Sequence, residues 1–169
     1  GAISETGFCL MRLLHVIHTL NPASGGTAEA VRNFVSHPGE STQAVLTLDH
    51  SSAPWRSCAS EVYCLGPGKG RYGYTRALPL WLARNLENYD AAIIHGCWQY
   101  HGLAPSRLAR KVGVPYFVFP HGMLDPYFRR ASRVKHLKKM AYWRFEKAIL
   151  VNARRVLFTC YEERARGQE

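Results

Sequence analysis

The sequence predicts a doubly wound α/β fold, in which helices cover both faces of a parallel sheet. Three observations support this prediction. Short apolar runs, each too brief for a helix, alternate with segments whose apolar residues recur at helical spacing. The short runs are continuously apolar, as strands buried on both faces are, and the loops between the elements are short. A chain of 169 residues with 47% hydrophobic content is also long enough to form one domain with a real core.

The first strand, turn and helix form the stretch around which the chain is organised. An apolar strand is predicted over residues 13–20, turn-forming residues follow at 21–26, and a helix begins at Thr27. In this geometry backbone N–H groups and the positive end of the helix dipole face one point, which suits a phosphate or another anion. Gly25 and Gly26 permit a close approach of a ligand to the backbone, although a Gly-Gly turn at this place is about as often only a turn.

The remaining elements follow in alternation along the chain. Their patterns predict strands at residues 43–48, 61–65, 91–94, 116–119 and 155–159, helices at 74–87, 103–112 and 132–152, and a loop at 50–60. In the long last helix one face is expected to be buried, because its apolar residues recur at about 100° per residue. That stripe comprises Val134, Leu137, Ala141, Phe145, Ala148 and Ile149.

Two histidine-rich loops are the strongest candidates for chemistry. In a doubly wound sheet, ligands bind beyond the carboxyl ends of the strands, which here carry loops 21–27, 49–51, 95–101 and 120–130. A histidine directly after a buried strand is expected to point its ring into this crevice, where it can hydrogen-bond a substrate hydroxyl or a leaving-group oxygen. His121 is a stronger candidate than His95 because its strand is wholly apolar. The alternative for each is a structural imidazole with its hydrogen bonds satisfied.

Other site chemistries have weaker support. A metal site would have to use His95, His101, His121 and Asp125, but no pair has a recognised ligand spacing and the chain has no D-x-D sequence. The G-x-S-x-G elbow of serine hydrolases is also absent. The glycine-rich segment 66–70 lacks the spacing of a P-loop.

Dinucleotide binding is a closer rival. Asp49 ends the second predicted strand, as the ribose-binding acid of a dinucleotide-binding protein would. The loop at residues 21–26, however, lacks the G-x-G-x-x-G sequence that cradles a pyrophosphate.

The positive charge of the chain is concentrated in one segment. Residues 129–155 hold ten Lys and Arg residues against one acid, Glu146, so this segment carries +9 of a net charge of +10. Tyr142 and Trp143 lie among these basic residues, off the predicted apolar stripe. Such a helix is often only a solvated face, but aromatic residues mixed with basic ones also bind anionic membrane surfaces or nucleic acid. Of the two, a membrane surface is favoured because an enzyme-like crevice is predicted elsewhere.

The cysteines and the hydropathy indicate the compartment. The five cysteines are odd in number and contain no C-x-x-C pair, which argues against a disulfide framework and against a zinc ribbon. No apolar run approaches the ~20 residues that a membrane helix needs, and the first ten residues show no secretory signal pattern. The sequence therefore predicts a cytoplasmic protein, peripheral on the inner face of the membrane.

Three stretches in order carry a resemblance to a known family. They are MRLLHVIHTLNPASGGTAEAV at residues 11–31, YDAAIIHGCWQYHGLAPSRLARKVGVPYFVFPHGMLDPYFRR at 89–130, and KHLKKMAYWRFEKAILVNARRVLFT at 135–159. Each motif alone is unspecific, but the ordered combination resembles the N-terminal domain of a family 4, group 1 glycosyltransferase of the two-domain GT-B type. The resemblance covers residues 11–163 and implies a Rossmann-like domain.

The resemblance implies roles for particular residues. Gly25, Gly26 and Thr27 would approach the diphosphate of a nucleotide-sugar donor, and His121 would face the transferred sugar as the catalytic residue. The pocket for a saccharide or lipid-linked acceptor would be formed by His95, Trp98, Gln99, His101 and Asp125. The mixture of basic and aromatic residues in the long helix, rather than the resemblance, assigns a membrane surface to Lys135, Lys138, Lys139, Tyr142 and Trp143. The implied reaction is hexosyl transfer with retention and without a metal or cofactor, the leaving diphosphate being stabilised by backbone N–H groups and cationic side chains.

The resemblance also implies a domain organisation. Residues 1–10 are expected to be a leader or an added remnant, 11–163 the acceptor-side domain, and 164–169 the start of an interdomain linker. In such enzymes a second domain binds the nucleotide and supplies an E-x7-E motif, so the chain alone is expected to have little or no transferase activity. The alternatives are a stand-alone, non-catalytic binding module and a nucleic-acid binder that uses the basic segment.

Overall fold

The computed structural model describes residues 10–37, 39–59, 61–124, 133–159 and 165. Six strands form one parallel sheet in the order β3-β2-β1-β4-β5-β6. The strands are β1 (Met11–Ile17), β2 (Ser41–Thr47), β3 (Glu61–Cys64), β4 (Ala91–His95), β5 (Tyr116–Phe119) and β6 (Arg155–Val156). The helices are α1 (Gly26–Ser36), α2 (Ala77–Asn85), α3 (Tyr100–Val112) and α4 (Arg133–Val151). The predicted doubly wound α/β fold is confirmed.

Helices cover both faces of the sheet. On one face α2, α3 and α4 pack over Leu14 and Val16 of β1 and over the apolar residues of β4 and β5. On the other face α1 packs through Val31 and Val35 against Ile17. Alternate residues of β1 therefore face opposite layers, as the pleat of a strand requires. The continuously apolar character of the strand follows from this burial on both faces.

The predicted elements are all present among the described residues, with shifts at their ends. β1 ends at Ile17 rather than at residue 20, because the Leu20 N–H turns away from the neighbouring strands to the Asp49 carboxylate at 2.7 Å. The predicted loop at 50–60 contains a short 3₁₀ turn, Pro54–Cys58. The last strand is only Arg155–Val156.

The predicted apolar stripe of α4 is wrong at Phe145 and Ala148 and right at Ile149, while the side chains of Val134, Leu137 and Ala141 lie outside the described part of the structure. Phe145 is 43% exposed and Ala148 is exposed, whereas Glu146 and Ile149 are buried. Glu146 accepts hydrogen bonds from the Trp98 backbone N–H and from the Cys97 thiol, while its burial raises the pKa of the carboxyl group. A buried polar contact to a distant loop, which periodicity does not reveal, therefore sets the rotation of this helix.

Candidate active site at the carboxyl edge of the sheet

The crevice lies where the strand order reverses. β1 and β4 are neighbours in the sheet, while the chain runs from β1 outward to β2 and β3 and from β4 outward to β5 and β6. The loops that follow β1 and β4 therefore diverge at this point and leave an opening at the carboxyl edge of the sheet, where ligands of doubly wound folds bind.

The first wall of the crevice is the N-terminus of α1. Gly25 precedes this helix with φ 96° and ψ −160°, and no side chain caps the first turn. No heavy atom lies within 4 Å of where a Cβ would stand at Gly25 or Gly26, so the space around both glycines is open. Thr27 follows in the first turn and is half-buried. The predicted diphosphate-binding residues thus form an uncapped helix N-terminus with room for an anion beside it.

Asp49 holds the segment that leads to this helix. Its carboxylate accepts hydrogen bonds from the hydroxyl groups of Thr19 at 2.5 Å and Thr47 at 2.7 Å and from the backbone N–H of Leu20 at 2.7 Å. Asp49 is buried, and these three donors occupy both of its oxygens. The role of a ribose-binding acid, considered above for Asp49, is therefore wrong, since the carboxylate fixes the protein's own loop.

The second wall is made by the two His-Gly loops, which are bound to each other. Met123 accepts a hydrogen bond from the Trp98 indole N–H at its backbone oxygen, 3.1 Å away, and one from the Cys97 N–H at its sulfur, 3.3 Å away. The Gly96 N–H donates to Phe119 O at 2.8 Å. Gln99 donates from its side chain to Arg71 O at 3.1 Å, which ties in the preceding loop. The predicted contribution of both loops to one site is consistent with this arrangement.

A chain of three imidazole rings runs beneath these loops, on the face of the sheet that α1 covers. His15 Nδ1 lies 2.9 Å from His95 Nε2, and His95 Nδ1 lies 3.0 Å from His121 Nε2. At its other end, His15 Nε2 lies 3.1 Å from Gln43 Oε1. We call these four side chains, one glutamine and three histidines, the histidine relay. It runs from β2 across β1 and β4 to the loop after β5.

The histidine relay lies in an apolar environment. Phe119 stacks on His121, with 4.3 Å between ring centroids, and Phe34 of α1 stacks on His15. His15 and His95 are 2% and 1% exposed. Burial lowers the pKa of His15 to about 4 and lowers the pKa of His95 well below its usual value, with the neighbouring histidines adding to the effect at His95. Both rings are therefore neutral at pH 7.

His95 and His101 lie deeper than the sequence predicted. The His95 ring does not point into the crevice but lies buried between His15 and His121. His101 is equally buried, donates from Nε2 to His95 O at 2.6 Å, and has a pKa lowered by burial to about 4. Neither ring is open to an acceptor in this structure, whereas Trp98 and Gln99 are half-buried. Asp125 lies outside the described residues.

Two further alternatives, a P-loop and a metal site, can be compared with the described geometry. The glycine-rich segment 66–70 makes a tight turn in which Lys69 and Tyr74 exchange backbone hydrogen bonds, and a Cβ at Gly66 would stand 1.7 Å from Leu48 O. Gly66 and Gly68 therefore serve close backbone packing, whereas Gly70 has open space around it and a φ of 62°. Among the described residues, no group of three or more His, Cys, Asp or Glu side chains is arranged to hold a metal ion.

Sequence reasoning did not identify His15 or Gln43 as parts of this site, and it placed Asp49 and Met123 at the carboxyl edge without the contacts that they make there. The available signal for His15 was a polar residue between two apolar neighbours, Leu14 and Val16, in a strand predicted to be buried. A buried histidine in such a position needs hydrogen-bond partners. Which partners it finds depends on the alignment of β1 with β2 and β4, since Leu13 lies opposite Gln43 and Ile17 opposite His95.

Comparison with known proteins establishes the family of this chain. Residues 25–168 match a family model described as a glycosyl transferase 4-like domain. The chain belongs to this family. The family resemblance drawn from the sequence is thereby confirmed, while a comparison with curated proteins found no match.

Solved structures confirm the fold. The chain superposes on Staphylococcus aureus MnaA, in a structure with UDP, with a TM-score of 0.65 and 13% identity over 94% of this chain and 42% of that one. It superposes on the UDP-GlcNAc 2-epimerase of Neisseria meningitidis, bound to UDP-GlcNAc, with a TM-score of 0.62 and 15% identity over the same shares. This glycosyl transferase 4-like chain thus spans about two fifths of the length of these structures.

Proposed function

We propose that this chain is the acceptor-side half of a glycosyltransferase that takes its sugar from a nucleotide-sugar donor. Family membership supports glycosyl transfer as the chemistry. The observation that carries the proposal is the uncapped N-terminus of α1 beside open space at Gly25 and Gly26, at the edge where the strand order reverses. A diphosphate placed there accepts hydrogen bonds from the free N–H groups of the first helical turn and is stabilised by the helix dipole.

In this proposal His121 faces the transferred sugar, and the loop of Trp98 and Gln99 borders the acceptor. Met123 and Phe119 link these two loops, so the donor and acceptor sides are held at a fixed spacing. A retaining transfer to a saccharide or lipid-linked acceptor, without a metal, is the specific form that we propose. A second domain would close the donor side of the crevice, so the chain alone is expected to give little or no turnover.

Exchange of Gly26 for alanine tests the proposed diphosphate site. The new methyl group meets no protein atom and Gly26 has an ordinary helical φ, so the fold is expected to be unaffected. The methyl group would block the close approach of a phosphate to the backbone. We expect the affinity for UDP-GlcNAc to fall about tenfold, which corresponds to ~1.4 kcal/mol. Amide chemical-shift titration of the chain with UDP-GlcNAc measures this effect even when binding is weak.

Gly25→Ala is the matched comparison, because the two glycines are adjacent but differ in backbone conformation. Gly25 has a φ of 96° with an extended ψ, a combination that only glycine adopts readily, so alanine is expected to cost about 1–3 kcal/mol of stability. Gly26→Ala should leave the urea midpoint unchanged. If UDP-GlcNAc shifts the amides of Gly25 to Thr27 in neither the native chain nor the Gly26 variant, the proposed donor site is wrong.

We also propose that α4 carries a membrane-binding surface. Tyr142 and Trp143 are 40% and 38% exposed and stand beside Arg144 and Lys147, while Val151 near the end of the helix is exposed as well. Aromatic and basic residues on one helix suit the interface of an anionic bilayer. The side chains of Lys135, Lys138 and Lys139 lie outside the described part of the structure. Among the described residues, no helix is long and apolar enough to span a membrane.

Vesicle cosedimentation tests this surface. We expect the chain to bind vesicles that contain phosphatidylglycerol, to bind pure phosphatidylcholine weakly, and to dissociate as salt is raised. Trp143→Ser should weaken binding severalfold, because an interfacial indole ring is lost. Leu80→Ser, which removes an apolar residue of α2 that is 56% exposed, is the control. Salt-sensitive binding to duplex DNA with no binding to vesicles would instead favour the nucleic-acid alternative.

A further inference from the structure

The histidine relay has a defined direction. A neutral imidazole carries one N–H group and one lone pair, so each ring in a chain donates from one nitrogen and accepts at the other. The direction is set at the Gln43 end. Gln43 Nε2 donates to Ser41 Oγ at 3.1 Å, which turns the amide oxygen of Gln43 towards His15. An amide oxygen only accepts, so His15 Nε2 must carry the proton.

The remaining tautomers follow in sequence. With the proton on Nε2, His15 Nδ1 accepts from His95 Nε2 at 2.9 Å. His95 Nδ1 then accepts from His121 Nε2 at 3.0 Å. Each ring of the relay is therefore the Nε2–H tautomer, and in neutral His121 the lone pair lies on Nδ1. A group that contacts Nδ1 of His121 must then donate a hydrogen bond.

The surroundings keep this chain of rings in place. Phe34 and Phe119 pack against the rings, and the relay residues come from three adjacent strands and the loop after β5. In such an apolar environment no water replaces a lost partner, so a reversed or unsatisfied ring nitrogen is disfavoured. His121 has a φ of 53°, which a non-glycine residue seldom adopts, so the loop holds its ring in line with His95 at the cost of some backbone strain.

We propose that Gln43, His15 and His95 are positioning residues that keep the Nε2 proton of His121 directed at His95, so that the neutral form of His121 meets a sugar hydroxyl as a hydrogen-bond acceptor. The part concerning the sugar rests on the proposed function, in which His121 faces the transferred sugar. The relay would thereby favour donor sugars that place a hydroxyl group at His121 over analogues in which that hydroxyl is methylated or replaced by hydrogen. Gln43 would act on His121 only through the two rings between them.

Nitrogen NMR of the histidine-labelled chain tests the direction of the relay. Long-range ¹H–¹⁵N spectra distinguish the two neutral tautomers, and we expect the Nε2–H pattern for His15, His95 and His121 at pH 7.5. Gln43→Met removes the acceptor at the end of the relay while keeping a similar volume. We expect this variant to lose the single tautomer at His15 and, through His95, at His121, while the exposed His37 and His50 are unchanged.

Gln99→Met is the matched control, because Gln99 donates to Arg71 O and does not touch the relay. Its relay histidines should keep the Nε2–H pattern. The proposal is overturned if the native chain shows the Nδ1–H tautomer at any relay ring, a result that does not depend on whether the Gln43 variant folds. It is also overturned if a folded Gln43→Met chain leaves His121 unchanged. Titration with UDP-GlcNAc is a separate measurement. The expected tautomer pattern without nucleotide-sugar binding would refute the proposed function and leave the direction of the relay confirmed.

Discussion

Lowering the pH from 7 to 5 is expected to reduce the free energy of unfolding by about 4 kcal/mol. His15 and His101 are buried, and burial lowers the pKa of each from 6.5 to about 4. The unfolded chain takes up a proton at each histidine near pH 6.5, whereas the folded chain takes it up only near pH 4. Acid therefore favours the unfolded state, by about 2 kcal/mol per histidine at pH 5.

The direction of this effect follows from the sign of the pKa shifts. The stability that the two neutral imidazoles permit is fully present above pH 6.5 and is lost as the pH falls from 6.5 towards 4. The lowered pKa of His95 adds to the loss in the same direction. Urea unfolding at pH 7 and at pH 5 measures the loss in the free energy of unfolding.

Variants assign the acid sensitivity to the buried rings. In His15→Gln one buried titrating group is absent, so the loss between pH 7 and pH 5 should shrink by about 2 kcal/mol, even though the variant is less stable at pH 7. His50→Gln removes an exposed imidazole and should leave the loss unchanged. Equal stability of the native chain at the two pH values would contradict the prediction.

The order and type of the elements could be predicted from the sequence because they depend on local patterns. Tyr116–Phe119 was predicted with the bounds that the structure shows, since loop residues on both sides of a wholly apolar run mark where the strand begins and ends. The end of β1 was misplaced because Asp49, 29 residues away, captures the Leu20 N–H. Periodicity contains no information about such a contact.

The candidate site was predicted only in part, because some of its contacts join residues that are far apart in the sequence. The positions of Gly25, Gly26 and His121 at the carboxyl edge follow from the fold class, which the sequence specifies. The burial of His95 between two other rings depends on the register of β1 against β4, in which His95 lies opposite Ile17. Residues 80 positions apart are brought together here, and a single sequence does not specify that pairing.

Asp49→Ala is expected to lower the free energy of unfolding by about 3 kcal/mol, a large share of what a domain of this size has. The exchange leaves two hydroxyl groups and one backbone N–H without their acceptor in a buried place. Each such group costs about 1–3 kcal/mol when it is not satisfied by water. Urea unfolding, with the midpoint and slope fitted together, measures the loss.

Asp90→Ala is the matched control. Asp90 is exposed and accepts a hydrogen bond from the Arg12 N–H at 2.7 Å, so water can replace it and the loss should stay below about 1 kcal/mol. Equal losses in the two variants would show that the Asp49 contacts do not hold the loop.

The Asp49 exchange also connects stability with the proposed donor site. Asp49 fixes Thr19 and Leu20, which lead directly into the turn that carries Gly25 and Gly26. Freeing that segment should speed hydrogen exchange at the Leu20 amide and weaken binding of UDP-GlcNAc at the α1 N-terminus. Gly26→Ala should weaken the binding of UDP-GlcNAc while leaving both the hydrogen exchange of the Leu20 amide and the urea midpoint unchanged. Such a difference between the two variants would show that Asp49 acts by fixing the loop before α1, whereas Gly26 acts by leaving its backbone accessible to the phosphate.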